Sequence, residues 1–212
     1  MFRLLSLLIG YALGCIQSAY IIGKLTHGID IRDHGSKSSG FTNANRVMGF
    51  KTGVWIFLAD VLKAVAAFLI ASWLFEGGGS FIGWDAPNGL LPGIWAGFGA
   101  VIGHCFPIFL KFRGGKGIAC ALGVLLMLDW RAALIAYAVG FVLVIVFRYI
   151  SLASLAITLL MPVLMAVFAY GWEVVIVTAA LAALAWYMHR GNIQRLANGT
   201  ERKFSFRKKP VE

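Results

Sequence analysis

Residues 53–75 read GVWIFLADVLKAVAAFLIASWLF, an apolar run broken only by Asp60 and Lys63. A helix needs about 20 residues to rise through roughly 30 Å of hydrocarbon at about 1.5 Å per residue, so this stretch is long enough to cross a bilayer. The same pattern recurs on both sides. Leu4–Leu25 and Leu90–Phe112 are comparable runs, and a further apolar region extends to Met188. Polar punctuation at Asp129–Arg131, Arg148–Tyr149 and Tyr170–Glu173 divides that region into spans of 118–128, 132–147, 151–169 and 173–188. The expectation is an all-α integral membrane protein of about seven transmembrane helices. The 118–128 segment is short, and a count of five leaves the parity odd. Gly10, Gly14 and Gly23 in the first run suggest close helix contacts.

Composition supports a lipid solvent. Of 212 residues, 60% are hydrophobic and 13% charged, and mean hydropathy is +0.82. A soluble domain of this size has too little interior to hide so much apolar surface. The net charge of +10 lies between and after the apolar runs, without a nucleic-acid recognition motif, so it speaks for membrane orientation and against nucleic acid. Cys15, Cys105 and Cys120 have neither metal-ligand nor disulfide spacing.

Lysine and arginine set the orientation. The 26–52 loop carries Arg32, Lys37, Arg46 and Lys51, the 111–116 hinge carries Lys111, Arg113 and Lys116, and Arg148 and the tail beyond Arg190 are basic. The 76–89 loop holds Glu76 and Asp85 with no Lys or Arg, and the 171–173 turn offers only Glu173. Basic connections alternate with acidic ones, Arg131 excepted, which places the amino terminus outside and the carboxyl terminus in the cytoplasm. Three polar segments then share the cytoplasmic face.

Each of the three has chemistry suited to an anion. The first, GSKSSGFTNANR (35–46), combines glycines that free the backbone with Ser36, Thr42, Asn43 and the planar guanidinium of Arg46. The second, GHCFPIFLKFRGGKG (103–117), turns at Gly114-Gly115 and sets Lys116 at a helix amino terminus, where N–H groups already favour an anion. His104 there either satisfies a buried hydrogen bond or meets substrate. The third, HRGNIQRLANGTE (189–201), repeats His189, Asn192 and Arg195 or Gln194 at helical spacing. Taken singly, the loops also read as a helix cap, an interfacial lysine and a lipid-facing basic helix. Together they suggest a site for phosphate-bearing substrates beside the lipid. Asp60 and Lys63, three residues apart, are expected to pair. A small organic-phosphate transporter is the rival reading, and it requires a polar path across the spans.

These three motifs, in this order, resemble those of the bacterial acyl-phosphate:glycerol-3-phosphate acyltransferase (PlsY) family over essentially the whole chain. The resemblance implies seven membrane helices in a single membrane-embedded acyltransferase domain spanning 1–212. It implies transfer of an acyl group from acyl phosphate to the 1-hydroxyl of glycerol 3-phosphate, giving lysophosphatidic acid and phosphate, on the cytoplasmic side of a bacterial inner membrane. The implied catalytic residues are Ser36, Arg46, Lys116, His189 and Asn192. Thr42, Asn43, His104, Gly114, Gly115, Gly117 and Arg195 are implied to contact substrate, with neither metal nor cofactor, the other partners being membrane lipid. The family's GSGNxGATN reads GSKSSGFTN here, with Lys37-Ser38-Ser39 and Phe41 as the departure, and an acyltransferase with altered substrate is the alternative within the family. The His-x-x-x-x-Asp pair of thioester-dependent acyltransferases is absent: the fifth residue after His27, His34, His104 and His189 is Arg32, Ser39, Phe109 and Gln194.

The charge bias predicts that a reporter fused after Glu212 reads cytoplasmic and one inserted at Gly77–Gly79 reads external. An external carboxyl terminus would contradict the shared-face reading.

Overall fold

The structure, a computed structural model, describes residues 1–76 and 90–204. Most of the acidic 76–89 loop, including Asp85, and the basic tail beyond Phe204 lie outside the described residues. Those described are helical, with no strand among them. In chain order the helices are α1 (Phe2–Gly14), α2 (Ser18–His27), α3 (Phe41–Met48), α4 (Phe50–Glu76), α5 (Leu91–Cys105), α6 (Ile118–Leu128), α7 (Trp130–Phe147), α8 (Ile150–Val167), α9 (Trp172–Met188) and α10 (Arg190–Ala197).

All seven apolar segments of the sequence are helical. Five are long and apolar enough to cross a membrane, counting α1 and α2 as one broken span, and the α9–α10 pair, bent by 62°, makes a sixth. At 11 residues α6 is well below the length needed, so length alone accounts for five or six of the expected seven crossings.

Contacts fix which ends lie together. At one end, Arg3 of α1 pairs with Glu173 of α9 at 2.5 Å, and the Trp95 indole of α5 donates to the same carboxylate at 2.7 Å. At the other end, Arg32 donates to the Leu110 carbonyl and Lys116 to the Asn192 side chain. The Phe204 amide donates to Arg148, at the turn between α7 and α8. The three motif loops therefore share one end of the bundle.

Two features of α1 position the site. Its glycines pack backbone to backbone on α5. A Cβ at Gly10 would lie 1.8 Å from the Ala96 carbonyl oxygen, and one at Gly99 would lie 2.1 Å from that of Leu7. Gly14 and Gly103 continue the seam. Helices gain little from hydrophobic exclusion inside lipid, so such close approach supplies the packing. Gly23 is less tightly packed: a Cβ there would lie 3.3 Å from the Ile29 carbonyl oxygen and 3.6 Å from the Met48 sulfur of α3. The second feature is the break at Cys15–Gln17. It frees carbonyls inside the bundle that side chains must satisfy. Gln17 donates to Gly14, and Lys63 donates to Ile16 at 2.7 Å.

The seam predicts that Gly99→Val yields little monodisperse protein in detergent. Gly171→Ala, which meets nothing within 4 Å, is expected to leave both yield and melting unchanged. Normal yield and melting for the valine variant would contradict backbone contact at the seam.

Candidate active site

The first loop is organised around one buried side chain. The Asn43 amide donates to the carbonyls of Ile31, His34 and Ser38, and its oxygen accepts from the Ser36 amide at 2.8 Å. The Asn43 side chain is thus engaged within the loop and shapes the chain there. Asn43 in turn carries Ser36, whose side chain is exposed. Gly35 and Lys37 both adopt left-handed backbone, φ +61° and +58°. A side chain there costs about 1 kcal/mol, which is the physical reason a glycine at position 37, as in the resembling family, is easier than lysine. Asn43 and Arg46 lie three residues apart on α3, with Thr42 half-buried beside them.

The second loop folds back on the end of α5. The amides of Gly114 and Gly115 donate to the carbonyls of Cys105 and His104. A Cβ on Gly114 would lie 1.9 Å from the His104 carbonyl oxygen, and one on Gly115 would lie 2.1 Å from His104 Nε2. Only glycine lets the turn lie so close. Gly117, with φ +77°, caps α6, and Lys116 is left at the mouth of that helix. His104 itself is buried, with Nδ1 turned towards Lys63 and Asp60.

The third loop supplies the partner for Lys116. The chain bends at His189, so α10 leaves the line of α9 and Asn192 comes to lie against the second loop. The Asn192 oxygen accepts from Lys116, and its amide donates to Glu201 at 2.7 Å. Glu201 also accepts from Ser151 at 2.9 Å and from Arg195 at 2.7 Å. Arg195 is therefore committed to a carboxylate, while among the described residues no carboxylate lies within ion-pair distance of Arg46. The His189 ring is pinned by its Nδ1 to the Ala185 carbonyl at 2.7 Å, which assigns the proton to Nδ1 and leaves Nε2 as an acceptor.

Charge in this cluster is poorly solvated. Burial pushes the Lys116 ammonium down to about 8, helped by Arg195 and Arg46 and opposed by Glu201. Burial likewise lowers the Arg46 guanidinium, with Arg202 and Arg195 adding to the fall. His189 is pushed down to about 4, first by burial and then by Lys116, so its ring is neutral at neutral pH. Burial works to raise the Glu201 carboxyl, but bonds from Asn192, Ser151 and Arg195 hold it below the usual range. Arg46, Lys116, His189, Asn192 and Arg195 thus converge on one cluster, and the excess of cations over the single Glu201 carboxylate suits a polyanion.

Sequence reasoning quoted Glu201 but gave it no role, and it passed over Ser151. A lone acid following the basic Arg190–Arg195 stretch was the available signal for Glu201; Ser151, inside an apolar run, gave none.

A multi-pass helical membrane protein with a half-buried cationic cluster at one end belongs to the class that handles phosphorylated compounds beside lipid. The chain belongs to the glycerol-3-phosphate acyltransferase family, whose model matches residues 4–199. It is 41% identical over 203 residues to the glycerol-3-phosphate acyltransferase of Thermoanaerobacter sp. (strain X514), covering 96% of each chain. It is 40% identical over 202 residues to that of Halalkalibacterium halodurans, covering 93% of each. The structure superposes with a TM-score of 0.84 on crystalline PlsY (YgiH), an integral membrane glycerol 3-phosphate acyltransferase in its glycerol 3-phosphate form, at 35% identity over 96% of both chains. The lysophosphatidic acid form of that enzyme superposes at 0.81.

Lys116 carries its charge below its lowered pKa and loses it above. The stabilisation of the protein by added glycerol 3-phosphate, read as a melting shift, is therefore expected to weaken as pH rises through about 8. Lys116→Met should abolish most of the shift at pH 7 and remove that alkaline limb. A shift unchanged between pH 7 and 10 would exclude Lys116 from the site.

Proposed function

We propose that this chain transfers an acyl group from acyl phosphate to the 1-hydroxyl of glycerol 3-phosphate, releasing lysophosphatidic acid and inorganic phosphate. Family membership supports the acceptor and the reaction class. The observation that carries the reading to these residues is the cationic cluster of Arg46 and Lys116 around the Asn192–Glu201 bridge.

In this reaction the acceptor oxygen attacks the acyl carbonyl carbon, the bond from that carbon to the phosphate oxygen breaks, and phosphate departs with the electron pair. The hydroxyl proton passes to a phosphate oxygen. A mixed anhydride already carries a good leaving group, so the protein's task is to orient two phosphates and to stabilise charge as it moves. Arg46 offers a planar fork and Lys116 a point charge for that purpose. Neutral His189, with Nε2 open as an acceptor, is suited to orient the acceptor hydroxyl. Asn192 holds Lys116, and Glu201 holds Asn192 and Arg195. Ser36 and Thr42 border the site from the first loop. Gly114, Gly115 and Gly117 give the turn its backbone path, and His104 supports that turn from beneath.

The chain acts as a single membrane-embedded unit in the bacterial inner membrane, with its site on the cytoplasmic face, where the lysine and arginine bias puts the three loops. Acyl phosphate is favoured as donor by the missing His-x-x-x-x-Asp pair together with the Lys116 turn. Transport is disfavoured, because Asp60, Lys63 and His104 bond to one another at the loop end instead of lining a path.

Purified protein in detergent or lipid is expected to form lysophosphatidic acid from glycerol 3-phosphate and acyl phosphate with no thioester or metal added. Lys116→Met should lose about 2–4 kcal/mol of transition-state stabilisation, the scale for deleting one preorganised electrostatic donor. Use of acyl-CoA or an acyl carrier protein thioester, with acyl phosphate inert, would overturn the donor assignment.

A further inference from the structure

Beneath the second loop lies a charged cluster of which the proposed mechanism uses only His104, as a support for the turn. Asp60 and Lys63 on α4 and His104 at the end of α5 are all buried, at 1%, 8% and 3% exposure. Lys63 has three N–H bonds, and three acceptors surround them: the Ile16 carbonyl at 2.7 Å, Asp60 Oδ1 at 2.8 Å and His104 Nδ1 at 3.0 Å. Asp60 Oδ1 also accepts from Ser18 at 3.0 Å, whereas its distance to His104 Nδ1, 3.5 Å, is too long for a good hydrogen bond.

Taking Lys63 as the ammonium fixes the roles around the ring. An ammonium has no lone pair, so His104 Nδ1 is the acceptor and the ring proton is assigned to Nε2. Nε2 lies against Gly115, on the side where an added Cβ would come within 2.1 Å. The His104 carbonyl accepts from the Gly115 amide at 3.0 Å and from Gln17 at 3.2 Å. On the far side of the turn, the Cys120 thiol donates to the Asp60 carbonyl at 3.3 Å. His104 thus holds the chain before the Gly114–Gly117 turn, and the Cys120 bond to the Asp60 backbone holds the start of α6 beyond it.

A buried ion pair is an expensive way to join helices, since apolar residues of similar volume often serve as well or better. Intramembrane charges accordingly point to a task beyond packing. We propose that Lys63, oriented by Asp60, is a positioning residue: it fixes the His104 ring with Nε2–H towards Gly115 and so sets the turn that presents Lys116. The inference rests on the proposed function for its kinetic readout.

The test uses the full chain and the double variant Asp60→Asn/Lys63→Met, which removes both charges together and leaves neither buried alone. The KM for glycerol 3-phosphate, kcat and the thermal midpoint are measured on the same preparations. The double variant is expected to stay folded, with KM raised about tenfold or more and a smaller change in kcat, because a displaced turn weakens binding of the phosphate in ground and transition state alike. Wild-type KM and kcat in a folded double variant would reduce the cluster to satisfying the carbonyls at the α1–α2 break, and would overturn the inference. If the double variant does not fold, His104→Asn decides: it keeps an acceptor for Lys63 but removes the ring from Gly115. A raised KM in the folded asparagine variant sustains the inference, and an unchanged KM overturns it. Failure of both variants to fold also overturns it, since the cluster would then be a requirement of the fold. No turnover by the wild type would remove the proposed function and this inference with it, an outcome separable from active wild type and unaltered variants.

Discussion

Lys116 donates to the Asn192 side chain across the gap between the second and third loops, and the rest of the site is built to make that contact tolerable. A buried ammonium without partners is expensive. Here the cost is met indirectly: Asn192 passes the interaction to Glu201, which also takes bonds from Ser151 and Arg195. The arrangement neutralises Lys116 only in part, as its lowered pKa attests. A cation held in place but short of compensating charge is what an incoming phosphate requires.

The scaffold serves the same end. The glycine seam between α1 and α5 lets two backbones touch, which fixes the end of α5 from which the second loop departs. The break between α1 and α2 brings carbonyls, Gln17 and Ser18 to the same level, where Lys63 and Asp60 meet them. The bend at His189 swings α10 away from α9 and delivers Asn192. At the α1–α2 break, Gln17 and Lys63 satisfy carbonyls freed within the bundle, as a lipid solvent demands.

Much of this was legible in the sequence because lipid imposes a simple code. Apolar runs of sufficient length gave the helices, and the basic loops indicated which connections share an end. The motif residues Arg46, Lys116, His189 and Asn192 stood out because glycine turns and helical spacing mark polar chemistry gathered at the loops. Short-range geometry was less legible. Asn43 has the same residue type whether it faces a ligand or three carbonyls, and only the loop's path decides. Glu201 is also bonded by Ser151, fifty positions away, a contact no local pattern encodes. The short 118–128 segment was read as such and is α6, whereas the break at Gln17 depends on packing that hydropathy does not register. The expected pairing of Asp60 with Lys63, in contrast, follows from helical spacing and is present at 2.8 Å.

The most direct test is a crystal structure of this chain in a lipid phase with glycerol 3-phosphate bound. The account predicts the phosphate within hydrogen-bond distance of both Arg46 and Lys116, with the glycerol hydroxyls towards His189 Nε2 and Asn192 still joined to Glu201. A phosphate bound away from both cations, or a Lys116 side chain turned out into solvent in that complex, would contradict it.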